Sequence, residues 1–407
     1  MDYLVIAVVV VILAAAIGYI VKQMSGSEVL IYGYGAVCLC MIVFNLVYNA
    51  VQRGKEPRIE KKVEHLKTAL LQKYGAADGT QASEDLAAVP DTSVFFRQMH
   101  LKPEKSEDLL VLAETLSDIF DSEHREAGVR FIQKLQPDFL RLAREYLKKD
   151  SMQTAYFAAF LQEYVPWTEY SDDLLEVLLE YAAKQNMYCR INALDALYAS
   201  GNAPYVVKAL NIQDRMETFL HTRVLTEGLL SFSGNHEELM KMLLERFGEF
   251  SVRIRLAVLN YIRFQSGEYK EFMYRIMMDE QEDRELRLSA ERYFGRYPWE
   301  QARDALLAFA RDKETLRWEY AAVAAAALKD YKGEDVISAL KSALYSSNWY
   351  VRYNAAVSLE ASGFSYTELI DVMAGKDRYA REMMEYRLGE QRLMENQKVS
   401  KEGRGEA

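Results

Sequence analysis

Between positions 190 and 352 an arginine returns every 30 to 35 residues, each time at the head of a similar segment. The clearest copy is SSNWYVRYNAAVSLEASG (346–363), aligned here on Arg352. The same register gives MYCRINALDALYASG at Arg190, HTRVLTEGLLSFSG at Arg223 and SVRIRLAVLNYI at Arg253. It continues with ELRLSAERYFG at Arg287 and TLRWEYAAVAAAAL at Arg317. Weaker copies lie upstream, in HREAGVRFIQKL (124–135) and TAYFAAFLQEYV (154–165). That period accommodates two helices and two turns. Each pair has an apolar face it cannot bury alone, so several pairs must stack.

The rest of the chain from about residue 105 agrees. DLLVLAETLSDIF, PDFLRLAREYL, YSDDLLEVLLEYAAKQ and GEDVISALKSALYSS place apolar residues at intervals of three and four, the spacing of one helix face. No run alternates as a strand would. The 7 prolines are widely spaced, as boundary markers between helices would be.

NWYVRYNAAVSL (348–359) resembles the D-P-x-V-R-x-x-A-A-x-A-L pattern of the HEAT-repeat family, in particular the short HEAT-like repeats of the phycobilisome-lyase type. Asn348 and Trp349 replace the Asp and Pro. The unit at Arg223 departs most, with Glu227 where a small residue is expected. The resemblance covers roughly 105–390 and implies an α-solenoid; it says little about function, because family members do many jobs.

The N-terminal region reads differently. Tyr3–Val21 and Val29–Val51 are uncharged and long enough to cross a bilayer as helices, at about 1.5 Å per residue. The polar link KQMSGSE between them makes a hairpin. Small and polar residues (Gly18, Gly33, Gly35, Asn45) would let its two helices pack closely. Arg53, Lys55, Arg58, Lys61 and Lys62 follow the second span, whereas the link holds only Lys22. That asymmetry places both the N-terminus and the C-terminal domain on the cytoplasmic side of the cell membrane. MDYL lacks the positive start of a cleavable signal peptide.

The expected fold class is therefore all-α, with two transmembrane helices followed by a cytoplasmic solenoid. Residues 1–52 form the hairpin and 53–104 a basic juxtamembrane helix and linker. Residues 105–375 form the solenoid, and 376–407 a charged capping helix with a disordered tail. In the juxtamembrane helix Ile59, Val63, Leu66, Leu70 and Leu71 share one face, which suits either extension of the second span or an anionic leaflet.

Signs of catalysis are missing. There is no phosphate loop, H-E-x-x-H, Cys-x-x-Cys or G-x-S-x-G. The 3 cysteines follow no disulfide framework and the 5 histidines are scattered. His236-Glu237 is a single pair, too little for the two-metal site of HEAT-like hydroxylases. A net charge of -10 speaks against nucleic acid as a partner. The acidic run Asp279–Asp283 reads as a solvated loop. The repeated arginines read as a ladder of contacts between repeats rather than as phosphate ligands.

Trp318, Trp349 and Tyr350, near the turns entering second helices, are the candidate partner-binding residues, because aromatics with polar handles dominate interface hot spots. The expectation is a membrane-tethered scaffold without enzyme activity or cofactor. It would dock a protein, a component of a membrane synthesis or export complex. An enzyme or ligand-responsive sensor using the solenoid groove is the alternative.

Overall fold

The computed structural model describes residues 26–75, 92–164, 170–312, 317–364 and 368–389. Every regular element among them is helical, and the chain divides into two compact units, Met1–Leu135 and Gln136–Ala407.

In the first unit α1 (Gly26–Tyr74) is one unbroken helix of 49 residues. It is followed by α2 (Thr92–Gln98), α3 (Ser106–Phe120) and the opening turns of α4 (Arg125–Leu147). The apolar stripe of α1 has a protein partner. Val63, Leu66, Leu70 and Tyr74 are buried, and α1 packs on α3, whose Leu109, Leu112 and Leu116 are buried too. Lys62 pairs with Asp108 at 2.9 Å and Lys67 with Asp118 at 3.0 Å, fixing the register of the two helices. Tyr74, Phe95 and Phe131 close the core edge to face, and Arg130 donates to the Tyr74 carbonyl at 2.6 and 2.9 Å.

The two-span membrane hairpin is corrected by this unit: among the described residues no helix is long and apolar enough to cross a membrane. The first span, Tyr3–Val21, lies outside the described residues. The second, Val29–Val51, opens a longer helix that turns charged at Arg53, carries Pro57 inside it and spends its amphipathic half on α3. The cell-membrane location and the cytoplasmic orientation fall with it. Gly35 faces open space and Asn45 is exposed, so neither packs against a described helix; Gly18 lies outside the described residues. Gly33 sits within α1.

The second unit is a two-layered stack. After the end of α4 come α5 (Ser151–Tyr164), α6 (Asp172–Ala182), α7 (Met187–Ala199), α8 (Ala203–Arg215), α9 (Thr222–Leu230) and α10 (His236–Glu245). Then follow α11 (Val252–Gln265), α12 (Lys270–Met278), α13 (Arg284–Phe294), α14 (Glu300–Arg311), α15 (Trp318–Ala327), α16 (Glu334–Ala343) and α17 (Trp349–Ala361). The short α18 (Ile370–Met373) and α19 (residues 378–389) end the described chain. The odd-numbered helices from α5 to α17 pack in order, each on the next, and form one layer. α6, α8 and α10, and again α14 and α16, pack likewise in the other.

Local chemistry sets these boundaries. Ser171, Asn186, Asn202, Asn235, Asp283 and Asn348 each accept from a backbone N–H of the first turn that follows, satisfying an otherwise orphaned donor. Asn348 in this way caps α17. Prolines are less orderly than expected. Pro204 opens α8, but Pro137 lies inside α4 and Pro57 inside α1, so these two mark no boundary.

The layer of odd helices packs closely because its contact positions are small. Ala321, Ala324 and Ala325 are buried in α15, which packs on both α13 and α17. In the divergent repeat the small residue is Gly228, one position after Glu227, and the Tyr198 ring occupies the space where its Cβ would stand. Glu227 instead points outward and pairs with Arg223 at 2.7 Å.

Candidate functional site

Four of the six repeated arginines, Arg190, Arg253, Arg287 and Arg352, bond carbonyls at or beside the loops that join the two layers, whereas Arg223 is exposed and pairs with Glu227 one turn on. Arg190 and Arg253 donate to carbonyls of the α8–α9 loop, Thr218 and Leu220 respectively, and so link neighbouring repeats. Arg287 bonds the Met277 carbonyl at 3.0 Å, and Arg352 bonds those of Ser346 and Ser347 at 2.6 and 3.0 Å. These two fasten the loop of their own repeat. Arg381 repeats the pattern in α19, reaching the Gly375 carbonyl at 2.7 Å. The ladder is therefore part loop clamp and part bridge between repeats. Polar rungs supplement it: Asn192 donates to the Ala155 carbonyl at 2.9 Å, and Asn354 to that of Ala322 at 2.8 Å.

The acidic run is consumed locally. Asp283 caps α13, Asp279 accepts from the Gln281 N–H at 3.0 Å, and Glu282 pairs with Arg255. His236 Nδ1 lies 2.7 Å from the Tyr261 hydroxyl, and Glu237 sits in the capped first turn of α10. Among the described residues no group of three or more His, Cys, Asp or Glu could hold a metal ion.

The structure brings the three sequence-chosen aromatics together. Trp318 stacks on Tyr350 with ring centres 5.6 Å apart, and Trp349 meets Tyr350 edge-on at 5.2 Å. Trp349 also stacks on Tyr353 at 4.9 Å. Trp349 is 49% exposed and Tyr350 58%, a large outlay of apolar ring surface in water. The stripe continues into α19, where Tyr379 and Tyr386 are exposed and Arg352 lies 5.2 Å from the centre of the Tyr379 ring. Tyr353 and Tyr386 were legible at helical spacing, four after Trp349 and seven after Tyr379, but only once the faces of α17 and α19 were known.

Two depressions border this stripe. One, of about 850 Å³, runs between α11, α13 and α15 and holds Phe264, Trp318 and Tyr350 with several arginines. The other, about 470 Å³, is lined by Trp349, Tyr353, Tyr379 and Tyr386 with Arg352 and Met383. Comparison of the chain with protein-family models and with curated proteins gives no match.

Proposed function

We propose that the second unit is a HEAT-like α-solenoid that serves as a protein-docking scaffold, and that the partner seats on the face of its odd-numbered helices between α15 and α19. The arginine-centred period, the helix pairs and the capping Asn348 support the HEAT-like reading. The stack of Trp318, Tyr350, Trp349 and Tyr353, in which Trp349 and Tyr350 are exposed, carries the docking reading. Such rings are held rigid by one another, so little side-chain entropy remains to be lost when a partner covers them.

The test is quantitative affinity capture of the full chain from its native cell, comparing wild type with the Trp349→Ala/Tyr350→Ala double variant. Both positions are exposed, so the fold survives; a circular-dichroism melt checks this. Selective loss of one stoichiometric protein from the variant is the expected result. An unchanged set of captured proteins would overturn the assignment.

A further inference from the structure

The groove between α11, α13 and α15 has an unusual balance of charge for a chain with net charge -10. Its three acids, Glu285, Glu319 and Asp330, are already engaged. Arg284 holds the first two at 3.2 and 3.0 Å, and Lys329 lies 3.9 Å from the third. Arg263, Arg292 and Arg296 line the same groove and form no ion pair among the described residues.

Two of these cations are held on one aromatic ring. The Arg263 guanidinium sits 4.9 Å from the centre of the Phe264 ring and that of Arg296 5.4 Å from the same ring. Attraction to the ring face offsets some of the repulsion between them. Burial pulls the Arg263 pKa down, and the charges of Arg292 and Arg296 lower it further, which is the sign of an uncompensated positive cluster. An anion placed among them would relieve that repulsion.

We propose that Arg263, Arg292 and Arg296 form a binding site for a phosphate group, with Phe264 as its floor and Trp318 and Tyr350 receiving the remainder of the ligand along the groove. A carboxylate would neutralise one of the three cations, whereas a phosphate dianion neutralises two and offers three oxygens to the planar forks of the guanidiniums. The groove volume, about 850 Å³, matches that of ordinary ligand sites. This inference rests on the reading of the odd-helix face as the functional one and adds to it the chemistry of what is recognised. The phosphate has two sources, a free phosphorylated molecule or a phosphorylated side chain of the docked protein.

The test is calorimetric titration of the full chain with inorganic pyrophosphate, with citrate, and with a short peptide containing phosphoserine beside tyrosine alongside its unphosphorylated twin. Saturable binding of pyrophosphate or the phosphopeptide, weakened about tenfold or more by each of Arg263→Gln, Arg292→Gln and Arg296→Gln, is the expected result. Lys241→Gln, on an exposed position of α10, leaves it unchanged. Tighter binding of the phosphopeptide than of pyrophosphate assigns the phosphate to a protein partner, and the reverse order assigns it to a free ligand. Equal binding of citrate, binding indifferent to the arginine variants, or no saturable binding overturns the site. Capture of a partner by the wild type, together with no saturable binding of either phosphate probe, would leave the docking face standing and sink the phosphate site alone.

Discussion

Arg190 and Arg253, two repeats apart, reach into the same loop from opposite sides. Arg190 on α7 donates to the Thr218 carbonyl, and Arg253 on α11 donates to those of Leu220 at 3.2 Å and Gln213 at 2.9 Å. Asp214 lies 3.5 Å from Arg253 and accepts from the Ser251 N–H at 2.8 Å, so the α8–α9 loop is tied by side chain and backbone alike. Burial lowers the Arg253 pKa, Asp214 opposes the shift and the charge of Arg190 adds to it. Both stay ionised, since a guanidinium starts so far above neutral pH, and they bring charged donors to these loop carbonyls.

Replacing Arg190, which is only 2% exposed, by Gln leaves the Thr218 carbonyl without its charged donor and costs about 2–3 kcal/mol in urea unfolding. Because Arg253 serves the same loop, the double variant departs from additivity by about 0.5 kcal/mol or more. Additive losses would show that the loop is held by each arginine separately.

Gly228 marks a close approach between neighbouring helices in the divergent repeat. A Cβ there would lie 2.3 Å from the Tyr198 ring, so Gly228→Ala destabilises by about 1–3 kcal/mol as the ring is displaced. Glu227→Ala, one residue earlier and exposed, changes the melting temperature little, since exposed ion pairs contribute weakly. Equal effects of the two substitutions would contradict the assigned register.

Glu291 is fully buried with both carboxyl oxygens unpartnered, and desolvation raises its pKa well above 4.5. A raised pKa means the folded state holds its proton after the unfolded chain has released it. Its contribution to stability is therefore greatest below pH 4.5 and declines as pH rises toward the folded-state value. Glu291→Gln removes that decline. The stability difference between variant and wild type grows by about 1.4 kcal/mol per pH unit across this interval, the variant being the more stable at neutral pH. Parallel pH–stability curves would show that Glu291 is not buried as described.

Cys189 is fully buried against the Tyr181 carbonyl and its thiol pKa is pushed up to about 11, whereas Cys40 is exposed. Only the thiolate alkylates. Iodoacetamide labelling followed by peptide mass spectrometry finds Cys40 modified in the native protein and Cys189 modified only after denaturation. Early labelling of Cys189 would place α7 away from the core.

The repeat architecture was legible because Arg190, Arg287 and Arg352 each stand four residues after a capping Asn or Asp and satisfy carbonyls at the junctions between layers, whereas Arg253, two residues after Ser251, does similar work from a shifted position. Arg381 escaped the alignment since Met383 and Met384 stand where the other copies have small residues, though it makes the same kind of bond. Where each arginine sends its bond depends on neighbouring loops and no period encodes it. Pro57 and Pro137 misled because a proline can sit within a helix when the surrounding packing compensates for its missing N–H. The span Val29–Val51 misled because hydropathy of a window ignores the helix that contains it, here one that runs on to Tyr74 and packs on α3. Trp318, Trp349 and Tyr350 were found individually by residue type. The phosphate-site arginines were not, since Arg263, Arg292 and Arg296 converge only through the stacking of α11 on α13.

Site-specific photo-cross-linking in the native cell tests the docking face most directly. A photoreactive phenylalanine analogue is placed at Tyr350, at Tyr379 and, as a control on the other layer, at Lys241. The account predicts one discrete cross-linked protein from positions 350 and 379 and none from 241. Cross-links confined to position 241, or the same products from all three, would contradict it.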